Sequence, residues 1–268
     1  MPRARKRHVQ LELLDKAGMK RVTRWGGKRR GAGRKPKNGH RAGPPHGRRK
    51  SFRASQPLHI SFKVVERVGE LRKMDLYAAL RKATLTTAKR EDMRIVHVSI
   101  QNSHVHLLVE AEGKTALALG MQGFKISAAK WINRALWERG GSRGPLCKGQ
   151  VFEDGYYLEV IESPRQARNA LAYVLNNWRR HREDRGEDTY KLVDRFSTGI
   201  RFDGWKEREG QGRWDAPAGY EELIVWEPRT WLLTTGWRKY GLISVYERPA
   251  HGLNASAKRR LKRAQSGT

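Results

Sequence analysis

Four residues have the types and spacing to do chemistry together: His104 and His106, one residue apart, and Tyr173 and Asn177, four apart. Successive side chains of a strand point to opposite faces, so an H-x-H pair on a strand points one way, side by side. Two imidazoles so placed can hold one divalent cation and leave coordination positions open for a phosphate oxygen. On a helix, residues four apart share a face, which sets the Tyr173 phenol one turn from the Asn177 amide. A phenol becomes a covalent nucleophile when a nearby cation or metal favours its ionised form. Each pattern alone is weak. Histidines on a half-exposed strand and a tyrosine on a helix boundary are commonplace, and the two patterns gain force only from occurring together.

The elements needed to position these groups can be read from the periodicity. Leu58–Val65 alternates as a first strand, and Asp75–Lys89 reads as an Ala- and Leu-rich helix. Arg94–Gln101 and His104–Ala111 read as a hairpin around Asn102-Ser103. A two-residue turn there places Gln101 opposite His104, Ser99 opposite His106 and His97 opposite Leu108. Val96, Val98, Ile100, Val105, Leu107 and Val109 then share an apolar face. His97, Ser99, Gln101, His104 and His106 share a polar one. Thr115 is placed to cap a helix through about Arg139, with Leu117, Met121, Phe124, Ala128, Trp131 and Ala135 as its apolar stripe. Gly120 and Gly123 in that helix either weaken it or mark a close approach. After a Gly/Pro-rich loop at 140–149, Tyr156–Ile161 is a fourth strand. Ser163-Pro-Arg-Gln166 opens a last helix to about Arg182 with a capping box and Pro at the first helical position. Its stripe is Ala167, Leu171, Val174 and Trp178, which leaves Tyr173 about 130° from the stripe centre.

The order β-α-β-β-α-β, followed by a helix, is the ferredoxin-like split βαβ plan with one added C-terminal helix, an α+β fold. This core should span 57–182. Residues 1–56 carry 19 Lys+Arg against 2 acids, and 26–50 hold 7 Gly, 3 Pro and 10 Lys+Arg with no large apolar side chain. Such a segment cannot offset its ordering entropy and reads as a disordered basic arm. Within it Arg29, Arg30, Arg34 and Lys35 are candidate DNA contacts, joined by Arg179 and Arg180 on the last helix. The Gly33-Arg34-Lys35-Pro36 run suits either a minor-groove hook or a tail that grips phosphates without reading sequence. Residues 183–268 hold five of the nine Trp and a basic end at Lys258–Arg263, with no topology legible.

The whole chain carries 56 Lys+Arg against 27 Asp+Glu, a net charge of +29. That charge repels itself unless a polyanion is the partner, and nucleic acid is the first candidate. No run has the ~18 apolar residues of a bilayer span, and no signal-type apolar stretch opens the sequence. One cysteine, Cys147, leaves no disulfide framework and no cysteine zinc site. A cytoplasmic, nucleoid-associated setting is expected. The charge leaves the oligomeric state open between monomer and homodimer.

The string Asn102-Ser-His-Val-His-Leu-Leu-Val-Glu-Ala111 resembles the HUH (His-hydrophobic-His) signature of single-tyrosine transposases. Ala170-Leu-Ala-Tyr173-Val-Leu-Asn-Asn177 resembles their nucleophile helix. The likeness is to REP-associated tyrosine transposases and their insertion-sequence relatives, and it covers about 57–182. It implies a ferredoxin-like endonuclease core acting on single-stranded or hairpin DNA. His104 and His106 would be ligands of Mg²⁺ or Mn²⁺, Asn177 the third ligand, and Tyr173 the nucleophile that forms a 5′-phosphotyrosine link. Two departures are visible: Trp178 stands where the family often has Pro, and Gln101-Asn102-Ser103 replaces the usual Pro-Asn before the histidines. The alternative is a nucleic-acid-binding protein without catalysis, such as a domesticated transposase. An RNA-recognition module shares the plan but needs exposed aromatics on its central strands. The strand H-V-H-L-L-V has none.

Overall fold

The computed structural model describes residues 50–141, 149–181 and 192–249. The basic arm with Arg29, Arg30, Arg34 and Lys35, most of the 140–149 loop and the basic end at 258–263 lie outside these residues.

The chain clusters into two units, Met1–His46 and Gly47–Thr268, and everything described falls in the second. Four strands, β1 (Leu58–Lys63), β2 (Met93–Ile100), β3 (His104–Ala111) and β4 (Tyr157–Val160), form one sheet in the order β2-β3-β1-β4. Every neighbouring pair is antiparallel. Helices α1 (Met74–Thr87) and α2 (Lys114–Arg139) provide the two crossovers. This order and connectivity make the ferredoxin-like fold expected above.

Residues of one parity on the strands, among them Leu58, Ile60, Phe62, Val98, Ile100, Val105, Leu107 and Val109, pack under α1 and α2 in the first core. In that layer Gly120 is a true close approach: a Cβ there would collide with the Met93 sulfur, whereas Gly123 faces open space. Thr115 does not cap α2. The helix begins at Lys114 after Gly113, without a side-chain cap, and Ile132 rather than Trp131 completes its buried stripe. Trp131 is half-buried, its ring covered by the Lys82 ammonium at 4.3 Å.

The hairpin register holds, with Ser99 opposite His106 and His97 opposite Leu108, but one residue departs from it. The pairing slips between Ile95 and His97, a bulge that turns Val96 onto the opposite face. Val96 therefore leaves the first core and joins Leu108 in a second one. The expected polar face is thus largely covered. Helix α3 (Pro164–Leu175) lies on it, and so does the C-terminal extension, through Phe202, Trp205, Leu232, Leu233, Trp237, Ile243 and Val245.

Residues 192–249 of the extension have little regular structure beyond a short α5 (Trp231–Thr234) and a few 3-10 turns, so side-chain anchors hold them. They also run along the edge strand β2: Trp226 N donates to Ile95 O, and Ile100 N donates to Phe196 O. An open sheet edge is thereby covered. The firmest anchor is Glu110, fully buried at the far end of β3. Its carboxylate accepts from Arg229 N, from Thr230 N and Oγ1 (both 2.8 Å), and from Arg94 Nε at 3.2 Å. Removing one partner of a buried ionic network leaves the other charge uncompensated, at about 3–5 kcal/mol. Glu110→Ala is therefore expected to lower the unfolding temperature by roughly 6–20 °C, at the ~2–4 °C per kcal/mol typical of a domain this size. A shift under ~2 °C in a thermal melt would show that the extension is held by other contacts.

Candidate active site

Helix α3 begins as its sequence requires. Ser163 accepts from Gln166 N and Pro164 occupies the first turn; Gln166 Oε1 in return accepts from Glu162 N at 2.8 Å. Its stripe Ala167, Leu171, Val174 and Trp178 is buried as expected. The helix does not run on to Arg182. It breaks at Asn176, whose φ of −106° and ψ of 14° leave the helical range, and resumes as a single turn, α4 (Asn177–Arg180). The break is fixed from outside the helix: Asn176 Nδ2 donates to Ser244 O at 2.9 Å in the extension.

Tyr173 and the turn that follows lie against the two histidines. The Tyr173 ring meets His106 edge to face at 5.3 Å, and His104 and His106 stand 4.7 Å apart. His181, directly after α4, meets His104 at 5.3 Å. Asn177 therefore lies on the short span of chain between two residues that each touch one of the histidines. It is wholly buried, and among the described residues neither its Oδ1 nor its Nδ2 has a hydrogen-bond partner. The Nε2 of buried His106 is likewise unpartnered. Buried polar atoms are normally satisfied, and leaving one unmade costs about 1–3 kcal/mol. Three such atoms, two on Asn177 and one on His106, fit a site arranged for a ligand. Among the described residues no group of three or more His, Cys, Asp and Glu could hold a metal. A cation here would need the two imidazoles and a neutral amide, the donor set that His104, His106 and Asn177 offer.

Electrostatics keep the imidazoles neutral. Burial, with neighbouring His181, Lys63 and Arg180, lowers the His104 pKa to about 4; burial, with His59, His104, His181 and Arg180, holds His106 well below the usual range. A neutral imidazole is the metal-binding form. Burial raises the Tyr173 pKa above its ordinary 10, opposed by the Arg180 guanidinium, which sits 5.4 Å from the ring centroid. The phenol is thus protonated at rest, and its hydroxyl makes no hydrogen bond among the described residues.

Of the two arginines after Trp178 that were expected to meet DNA, Arg180 is at the site. Arg179 turns into the extension, over Trp178 at 4.7 Å and Tyr246 at 5.6 Å, and donates to Leu192 O. Gln101 and Ser99 are fully buried and bonded to each other at 2.7 Å. His97 is a structural histidine, tied to Thr198 Oγ1 at 3.1 Å and packed on Phe202. The sequence reading missed His59 on β1. It is buried, with Nε2 3.0 Å from His106 Nδ1 and its ring 5.6 Å from Tyr173. The signal that could have found it is the strand order itself, since this fold sets β1 beside β3.

Burial also lowers the pKa of His59 and of His97 to about 4. The unfolded chain, with ordinary values near 6.5, then takes up protons before the native state does as pH falls. Their contribution to stability is fully present above about pH 6.5 and is lost progressively between there and about pH 4, reaching about 2 kcal/mol per histidine at pH 5. A urea unfolding midpoint at pH 5 well below that at pH 7.5 is expected; equal midpoints would contradict the burial of these neutral imidazoles.

Residues 54–177 match the profile of the IS200-like transposase family. Among solved structures, the chain is similar to a REP-associated tyrosine transposase bound to a REP hairpin, at 15% identity and a TM-score of 0.45, over 68% of this chain and 100% of that one. It is also similar to a candidate transposase from Deinococcus radiodurans R1 (16% identity, TM-score 0.30, 47% of this chain and 90% of that one). A third likeness is to a bacterial tRNA(His) guanylyltransferase-like protein in complex with ATP (12%, TM-score 0.34, 48% and 60%). These likenesses are distant, and the fold assignment rests on strand order and connectivity. No curated protein matches the chain. The segment that carries the histidine pair, Tyr173 and Asn177 therefore belongs to the IS200-like transposase family.

Proposed function

We propose that this protein cuts and rejoins single-stranded or hairpin DNA through Tyr173, with His104, His106 and Asn177 holding a divalent cation, Mg²⁺ or Mn²⁺. The observation that carries the reading is the Tyr173 ring against His106, with the His106 Nε2 and both Asn177 amide atoms buried and unpartnered. A bound cation would polarise the scissile phosphate. The Tyr173 oxygen attacks phosphorus and the bond to the 3′-oxygen breaks. A 5′-phosphotyrosine remains, and the phenolic proton is balanced by the one gained at the new 3′-hydroxyl. Because one phosphodiester replaces another, attack by a second 3′-hydroxyl reverses the step without ATP. Arg180, over the Tyr173 ring, favours the charge that develops on the phenol oxygen.

DNA as partner is supported by the family of residues 54–177 and by the net charge of +29. Arg29, Arg30, Arg34 and Lys35 of the basic arm are proposed to hold phosphates, with Arg180 nearest the chemistry. Among the described residues no helix is long and apolar enough to cross a membrane. The test is to incubate the full chain with a single-stranded hairpin from beside its own gene and Mg²⁺. An adduct that survives denaturation, and is lost with EDTA, is expected; bound but uncut and unlinked DNA would favour a binding protein without catalysis.

A further inference from the structure

The His59–His106 contact has an uncommon geometry. The two rings are nearly parallel, 20° apart, with centroids separated by 5.1 Å. With His59 Nε2 only 3.0 Å from His106 Nδ1, this is an edge-to-edge arrangement in which a ring N–H faces a lone pair. It is not face-to-face packing. Both imidazoles are buried, and a 3.0 Å contact between two ring nitrogens requires that one carry the proton and the other a lone pair.

Two arrangements satisfy this bond. Either His106 donates from Nδ1, which leaves a lone pair on its unpartnered Nε2, or His59 donates from Nε2, which puts a proton on His106 Nε2. Only the first can bind a cation. We infer that His59 is a positioning residue that accepts the His106 Nδ1–H and so holds the Nε2 lone pair of His106 towards the site. The inference rests on the proposed role of His106 as a ligand.

Metal-bound histidines commonly donate their other ring N–H to a carboxylate or a carbonyl, which fixes tautomer and orientation. Here a second imidazole fills that place, and it is carried on the central strand β1, beside β3. In this tautomer the remaining His59 proton lies on Nδ1, a buried atom with no protein partner. The same ring meets Tyr173 edge-on at 5.6 Å. One rigid side chain thus touches both the ligand and the nucleophile, and fixes their relative placement before DNA arrives.

The test is binding of Mn²⁺ alone to the full chain, followed by calorimetry, for wild type and for His106→Ala, His59→Phe and His59→Gln. His59→Phe keeps a planar ring but has no acceptor, and is expected to weaken Mn²⁺ binding by about 10–100-fold. His59→Gln restores an acceptor and should recover most of the loss. Weakened binding in His106→Ala with wild-type binding in His59→Phe would overturn the positioning role and leave the metal reading intact. Unchanged binding in His106→Ala would overturn the metal reading and this inference with it. Should His59→Phe fail to fold, ¹⁵N spectra of the histidine rings in the Mg²⁺-loaded wild type decide. A proton on His106 Nδ1 is expected, and a proton on Nε2 would overturn the inference.

Discussion

Tyr173→Phe should leave the fold and DNA binding unchanged and abolish the covalent protein–DNA adduct. The substitution removes one oxygen that makes no hydrogen bond among the described residues, and it keeps the ring that packs on His106 and His59. Substitutions that remove no buried contact usually move stability by less than ~0.5 kcal/mol. Binding should persist because the charge that grips phosphates lies elsewhere, 19 of the 56 Lys+Arg falling in residues 1–56. Cleavage has no such reserve. A phenyl ring cannot attack phosphorus, and loss of a nucleophile costs on the order of 10⁴-fold or more in rate. The measurement is denaturing electrophoresis of the mutant mixed with labelled hairpin DNA. A shifted band at wild-type yield would transfer the role to another residue and dissolve the proposed site.

What the sequence made legible was what is determined locally. Strand alternation and the Asn102-Ser103 turn were enough to bring Ser99 opposite His106, and so to put His104 and His106 on one face. The Ser163-Pro164 start of the helix that carries Tyr173 was legible for the same reason, since its signal lies within four residues. The features that escaped are set at long range. Nothing in Arg94-Ile-Val-His97 marks the bulge, with no glycine or proline to announce it; it shows only in the pairing with β3 and in Val96 packing against the second core. The helix break at Asn176 has no glycine or proline either, and its anchor, Ser244, lies 68 residues away. His59 carries no local signal, because its partner is 47 residues distant. The extension had no periodicity to read. Its described part, 192–249, is held by Glu110, Thr198 and buried tryptophans rather than by long elements of its own.

Asn177→Leu should move stability and activity in opposite directions. Leu keeps the heavy-atom count and branching of Asn, with methyl groups in place of the amide oxygen and nitrogen, so the change removes the amide's polar atoms. In most buried positions that would break hydrogen bonds and destabilise the protein. Here both amide atoms are buried and unpartnered, and replacing an unsatisfied polar group by an apolar one of similar shape relieves about 1–3 kcal/mol of desolvation penalty. In metal-free buffer the mutant is therefore expected to unfold ~2–12 °C higher than wild type. Cleavage should fall, because one of three proposed cation donors is gone. Lewis-acid stabilisation worth several kcal/mol corresponds to a loss on the order of 10²–10³-fold in rate. The wild-type protein should also gain thermal stability when Mn²⁺ is added, and the mutant should gain much less, since only a ligand bound by the native state stabilises it. The two measurements separate the alternatives. A destabilised mutant would mean that the Asn177 amide is satisfied within the fold, and the observation that led to it as a ligand would be lost. A stabilised mutant that still cleaves at the wild-type rate would mean that the amide is only an unpaired group tolerated next to the break at Asn176. A gain in stability together with a loss of cleavage is the outcome of a polar group kept unpaired for the sake of the site, at the expense of the fold that holds it.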